Sequence, residues 1–137
     1  MSFDERTFQT LLSSIDSNHT KIKNISRYMN YFRDNYYDKV VEIWKDQFFL
    51  VNLESKMNLI YSAHDVIISS SKNGKFEYVK GFGDIFTEIF QEFSKADHID
   101  YLNILLKLCD LWEIEMIYAK AFMDELRHVI KSKVLLL

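Results

Sequence analysis

Tyr61, His64, Asp65 and Ile68 stand at i, i+3, i+4 and i+7 in the stretch NLIYSAHDVIISSSKNG, residues 58–74. On a helix that spacing sets a phenol, an imidazole and a carboxylate along one strip. The residues around them, Leu59, Ile60, Ala63, Val66 and Ile67, are apolar over more than one face. Such a helix must be central to the fold, and a carboxylate there costs several kcal/mol if it lacks a partner. Two arrangements remove that cost. Either another part of the chain satisfies Asp65, or the strip floors a groove that a ligand completes. The spacing alone does not choose between them.

A second set is cationic. Between Asn18 and Arg33 the chain carries Lys21, Lys23, Arg27 and Arg33 and no acid. Lys23 and Arg27, at i and i+4, share a helix face. A solvated helix surface is the simpler account. The sharper one is a local anion site, and a patch this small suits a phosphopeptide better than a duplex, which needs a broader basic surface.

The remaining chemistry-bearing residues have plain structural readings. Glu125 and His128 make one Glu-x-x-His, but a di-iron bundle needs two such motifs and two further glutamates, and no second Glu-x-x-His occurs. There is no His-Glu-x-x-His and no pair of cysteines for zinc. Cys109, among Leu105, Leu106 and Leu108, reads as a buried structural thiol. Gly81 and Gly83 have no phosphate loop after them, so they read as points of close helix approach or a local bend. With no nucleophile–base pair, metal set or cofactor motif, an enzyme is not expected.

The elements that position these residues follow from periodicity. Proline is absent and there are only 3 glycines, which leaves long uninterrupted helices. Phe8, Leu11, Leu12 and Ile15 make a first stripe, and Asp16 to Asn18 can stop that helix and cap the next. Ile22, Ile25, Tyr28, Met29 and Phe32 make a second; Tyr37, Val40, Val41, Trp44, Phe48 and Val51 a third. Asn52 can cap the helix of the polar strip, and Asn73-Gly74 can end it in a left-handed turn. Val79, Phe82, Phe86, Ile89 and Phe93 make a fifth stripe. Asp97 can cap a sixth helix running through Trp112, and a last helix spans roughly Lys120 to Lys133. No segment alternates with a period of two. The expected fold is all-α, with seven to eight short helices in a superhelical stack or compact bundle. Leu59, Ile60, Ala63, Ile67, Trp44, Phe86 and Trp112 are expected in the core.

Length and composition set the bounds. At 137 residues, 48% apolar and 15% aromatic, the chain reads as one globular domain. A formal charge of -3 argues against nucleic-acid binding over the whole surface. One cysteine forbids an internal disulfide and points to a reducing compartment. No apolar run is long enough to span a membrane, and MSFDERTFQT is too polar for a signal peptide. The terminal VLLL either packs on the last helix or leads into further chain, which would make residues 1–137 the N-terminal part of a longer protein.

Taken in order, these segments resemble a known family, the RPR domain or CID, which binds the C-terminal repeat domain of the largest polypeptide of RNA polymerase II. Phe8 to Leu12 is similar to the family's opening pattern. ISRYMNYFRDNYYDKVVEIWKDQF resembles its second and third helices, including the step from Val40 to Trp44. KMNLIYSAHDVIISSSKNG is similar to its KL-x-x-LYL-x-NDVIQNSK helix, and LLKLCDLWEIEMIY to its R-L-L-x-I-W-x-x-R-x-V-F segment. The likeness covers nearly the whole chain and leans to the branch of transcription-termination and pre-mRNA regulators.

The resemblance implies a right-handed superhelical stack of seven to eight helices, with VHS/ENTH-like architecture. It implies a monomeric, non-enzymatic, nuclear adaptor whose partner is the phosphorylated repeat Tyr-Ser-Pro-Thr-Ser-Pro-Ser, with no membrane, no cofactor and no nucleic acid bound through this domain. The peptide would lie as an extended segment with a β-turn between the second helix, the YL-x-ND helix and the tryptophan helix. Its expected contacts are Tyr61, His64, Asp65 and Ile68, with His19, Lys23 and Arg27. Tyr61 would pack on the peptide and Asp65 accept a hydrogen bond from its tyrosine hydroxyl or turn. The phosphate-reading arginine falls on Lys107, which keeps the charge without the bidentate fork. The family's asparagine before the aspartate is His64, its QN pair is Ile68 and Ser69, and a further arginine falls at Glu115, reversing the charge. The alternative is a VHS- or ENTH-like trafficking domain for sorting peptides, ubiquitin or lipid head groups, which shares the architecture.

Overall fold

Eight helices form in the computed structural model, which describes residues 2–137; among the described residues there is no strand. They are α1 (Glu5–Ser13), α2 (His19–Tyr31), α3 (Arg33–Phe48), α4 (Leu53–Lys72), α5 (Glu77–Gly83), α6 (Phe86–Ser94), α7 (Ile99–Ile114) and α8 (Lys120–Val134). The all-α class expected from the apolar stripes is the one that forms. Contacts divide the chain into two compact units, one running to Phe82 and one from Gly83 to Leu137.

Short polar side chains start the helices of the first unit. Asp4 accepts from the Arg6 amide at 3.1 Å and begins α1. Asp16 accepts from the Asn18 amide at 2.8 Å, and the Asn18 side chain accepts from the amides of Thr20 and Lys21 at 2.9 and 3.2 Å. Those bonds satisfy donors that the first turn of α2 leaves open. Asn52 does the same for α4 through the Ser55 amide at 2.9 Å. The far end of α4 closes as expected. Gly74 takes φ 72°, and the Lys75 amide donates back to the Ser70 carbonyl at 2.9 Å.

In this unit α2 lies on α4, α1 on α3, and α3 on α4. Trp44 is the centre of the packing. Its ring is fully buried, and its indole N–H donates to the Leu59 carbonyl and the Ser62 hydroxyl, both at 3.3 Å. Leu59, Ile60, Ala63 and Ile67 of α4 are buried as well. The Tyr78 hydroxyl donates to the Met29 carbonyl, tying α5 to α2. A Cβ on Gly81 would come within 3.0 Å of Val41 Cγ2, so this glycine lets α5 approach α3, one of the two readings its sequence allowed.

In the second unit α8 packs on both α6 and α7. Phe86 and Trp112 are buried and stacked, with centroids 5.0 Å apart and planes within 8°. Tyr118 meets both rings edge-on. Gly83 again marks a close approach, since a Cβ there would sit 3.1 Å from Tyr118 Cε1. Cys109 is buried, and burial pushes its thiol up to about 12, which makes it the inert structural cysteine expected.

Three boundaries differ from the expected ones. The fifth stripe is two helices, because the chain turns at Asp84-Ile85. Apolar periodicity runs across the turn since both sides need an inward face. The third helix stops at Phe48, so Val51 lies beyond it. Asp97 does not cap α7. Its carboxylate pairs with Lys133 of α8 at 2.7 Å, and His98 Nδ1 accepts from the Tyr101 amide at 3.3 Å instead.

Candidate functional site

A cleft of about 390 Å³ opens in the first unit between the start of α2 and the middle of α4. Ser17, His19, Ile22 and Lys23 form one wall. Asn58, Tyr61, His64 and Asp65 form the other. Both walls follow from helix geometry. Residues 19, 22 and 23 share a face of α2, and residues 58, 61 and 65 share a face of α4. Asn18 fixes where α2 begins and so where its first turn presents His19.

Five of the expected site residues therefore come together here: His19, Lys23, Tyr61, His64 and Asp65. Ile68 is half-buried one turn beyond Asp65, and Arg27 is exposed one turn beyond Lys23; neither lines the cleft. Arg27 makes a single long side-chain hydrogen bond, to Asn24 at 3.5 Å.

Three of the four cations from Lys21 to Arg33 are less free than the local sequence suggests. Lys23 Nζ lies 2.8 Å from Asp65 Oδ1, and the two side chains keep 42% and 28% of their surface. Lys21 pairs with Asp16 at 2.9 Å, and Arg33 with Asp34 at 3.2 Å. All three acids lie outside the acid-free segment from Asn18 to Arg33. The chain thus supplies Asp65 with a partner, and the carboxylate still borders the cleft. His64 beside it is held below the usual imidazole range, chiefly by burial; Asp65 opposes that shift and Lys23 adds to it. At neutral pH the wall presents a neutral imidazole.

Sequence reading missed Ser17, Ile22 and Asn58. For Asn58 a signal was present, because it extends the Tyr61–Asp65 strip one turn back. It is 5% exposed among the buried Met57, Leu59 and Ile60, and its Nδ2 has no hydrogen-bond partner among the described residues.

In the second unit Lys107 is exposed on α7, and Glu115 is the exposed C-cap of the same helix. From Gly83 onward the cations are Lys95, Lys107, Lys120, Arg127, Lys131 and Lys133, against ten Asp and Glu. Arg127 is held by Glu113 at 2.7 Å, Asp124 at 2.8 Å and Asp110 at 3.1 Å. The second unit that carries Lys107 is therefore acidic on balance. Glu125 and His128 are exposed on α8, and among the described residues no three His, Cys, Asp or Glu side chains gather as a metal set. Among them, too, no helix is long and apolar enough to cross a membrane.

The family model described as CID domain matches residues 6–126. Regulation of nuclear pre-mRNA domain-containing protein 1A of Mus musculus is 22% identical over 129 residues, covering 94% of this chain and 41% of that protein. Protein 1B of the same description, from Homo sapiens, is 21% identical over 126 residues, covering 92% and 38%. The chain thus spans about two-fifths of the length of these relatives. The CTD-interacting domain (CID) of Seb1 from S. pombe superposes with a TM-score of 0.78 at 17% identity, covering 96% of this chain and 98% of that one, which shows a shared fold. With the family pattern matched from the first turn of α1 into α8, this chain belongs to the CID domain family.

Proposed function

We propose that this chain is a non-enzymatic, monomeric adaptor, a single CID domain over residues 1–137. It acts in the nucleus, where it binds the phosphorylated heptad repeats in the C-terminal domain of the largest RNA polymerase II polypeptide and couples transcription to termination or pre-mRNA processing. One observation carries this reading: five residues singled out for the repeat peptide line one cleft. The descriptions of the relatives point the same way, two named for regulation of nuclear pre-mRNA and one for interaction with the CTD.

The cleft has the parts such a peptide needs. Tyr61 and Ile22 offer an apolar surface for a ring. Asp65, partly open, accepts a hydrogen bond from a tyrosine hydroxyl or a turn amide, and ionised acceptors make the stronger bonds. Ile68 and Arg27, one turn further along α4 and α2, would extend the contact. Lys107 would take the phosphate as a point charge.

Titration with doubly, singly and unphosphorylated repeat peptides tests the reading. The phosphorylated peptides should bind at tens of micromolar, around -6 kcal/mol, and the plain peptide more weakly. Absence of binding by all three to the folded protein would refute it.

A further inference from the structure

Asn58 is the least explained residue of the cleft. Its neighbours Met57, Leu59 and Ile60 are buried and apolar, and a leucine at 58 would continue that surface. The chain instead buries a carboxamide and leaves its Nδ2 without a hydrogen bond among the described residues. Buried polar groups in folded proteins are nearly always paired, and an unpaired one is a standing cost. The side chain also lines the cleft. The terminal torsion of asparagine is broad and two-fold, so rotation about χ2 can present either end of the amide.

Geometry narrows what the amide would meet. Asn58 and Asp65 are seven residues apart on one face of α4, about 10.5 Å along the axis at 1.5 Å per residue. An extended chain covers that distance in about three residues. The charged pair of the cleft, Lys23 and Asp65, lies at one end of this span. Ser17, His19 and Ile22, which line the cleft with Asn58, include no lysine or arginine to hold an anion. A neutral acceptor fits there better than an anion, and the neutral acceptor that every extended peptide carries is its backbone carbonyl.

We infer that Asn58 is a second anchor of the cleft, donating from Nδ2 to a main-chain carbonyl of an extended peptide about three residues from the group held at Asp65. This rests on the peptide-binding reading above. It adds a contact that fixes the register of the backbone and is indifferent to the side chain at that point.

The test uses the whole chain, the repeat peptide, and the variants Asn58→Leu and Asp65→Ala. Asn58→Leu should keep or raise the melting temperature, since it removes an unpaired buried donor, yet weaken peptide binding about three- to tenfold, the worth of a neutral hydrogen bond. The loss should persist against peptides in which each residue except the tyrosine is replaced in turn by alanine. In the wild type, the side-chain NH2 resonances of Asn58 should shift and exchange more slowly when peptide is added. If Asn58→Leu fails to fold, those resonances decide alone, and an unmoved pair overturns the inference. Unchanged affinity in Asn58→Leu, with Asp65→Ala weakened, overturns the anchor and leaves the peptide-binding reading standing. A single alanine replacement that abolishes the difference makes the acceptor a side chain and overturns the main-chain contact. If the wild type binds no repeat peptide at all, both readings fall together.

Discussion

Lys23 of α2 and Asp65 of α4, 42 positions apart, meet at 2.8 Å on the rim of the cleft. The pair joins the two helices that form its walls. It also means that a ligand approaching Asp65 meets a carboxylate already engaged at one oxygen. Surface pairs of this exposure contribute little to stability, so the consequence lies in binding.

Asp65→Ala should weaken repeat-peptide binding roughly tenfold or more, since a hydrogen bond to a charged group is worth about 1.5–3 kcal/mol. Melting temperature should change little, because Lys23 is 42% exposed and can turn to solvent. Calorimetric titration beside a thermal melt separates the two effects. Unchanged affinity would remove Asp65 from the site.

If the peptide's phosphate is read, Lys107 and Glu115 should govern the preference. Lys107→Ala should abolish the preference for phosphorylated over plain peptide, a severalfold effect for an exposed contact. Glu115→Arg should tighten phosphopeptide binding and steepen its dependence on salt, because it replaces repulsion with attraction within a Debye length. Equal binding of both peptides by the wild type, with no response to Glu115→Arg, would mean that the fold persists without phosphate reading.

Met116 is a site of backbone strain that a glycine would relieve. It follows α7 with φ 58° and 86% exposure, and the Ile117 amide donates back to the Trp112 carbonyl at 2.9 Å. This is a glycine-type helix stop occupied by a side chain that the left-handed region disfavours. Met116→Gly should stabilise by about 0.5–1 kcal/mol after glycine's entropy is set against the strain. For a chain of this length that raises the melting temperature by about 2–4 °C. A fall would show that the methionine side chain contributes more than its backbone costs.

His64 should make stability depend on pH. Its folded-state pKa lies below the ordinary imidazole value of 6.5, mainly through burial. The unfolded chain therefore takes up a proton first as pH falls, so the contribution of His64 is present above about pH 6.5 and is lost as pH drops through the folded pKa. Replacing it with glutamine should flatten that part of the stability–pH curve. Denaturant midpoints measured from about pH 7.5 down to about 5 give the comparison, and parallel curves would place the pH dependence elsewhere.

Much of this protein was legible without coordinates. The apolar stripes, the missing prolines and the caps at Asn18, Asn52 and Gly74 determine an all-helical chain, because each acts within one or two helical turns. The same local logic puts Tyr61, His64 and Asp65 on one strip and buries Trp44, Trp112 and Cys109. Two helices within one apolar stripe were not legible, since periodicity reports which face is inward and passes over a short turn such as Asp84-Ile85. The cap of α7 was misread because Asp97 finds Lys133, a partner 36 positions away. What the tertiary structure alone decided are the pairings between helices. Lys23 answers Asp65, Ser17 and Ile22 close a wall opposite α4, and the buried Asn58 Nδ2 is left without a partner among the described residues. Those relations depend on how α2 lies across α4, and that packing is set by side-chain fit over the whole unit, which no local spacing encodes.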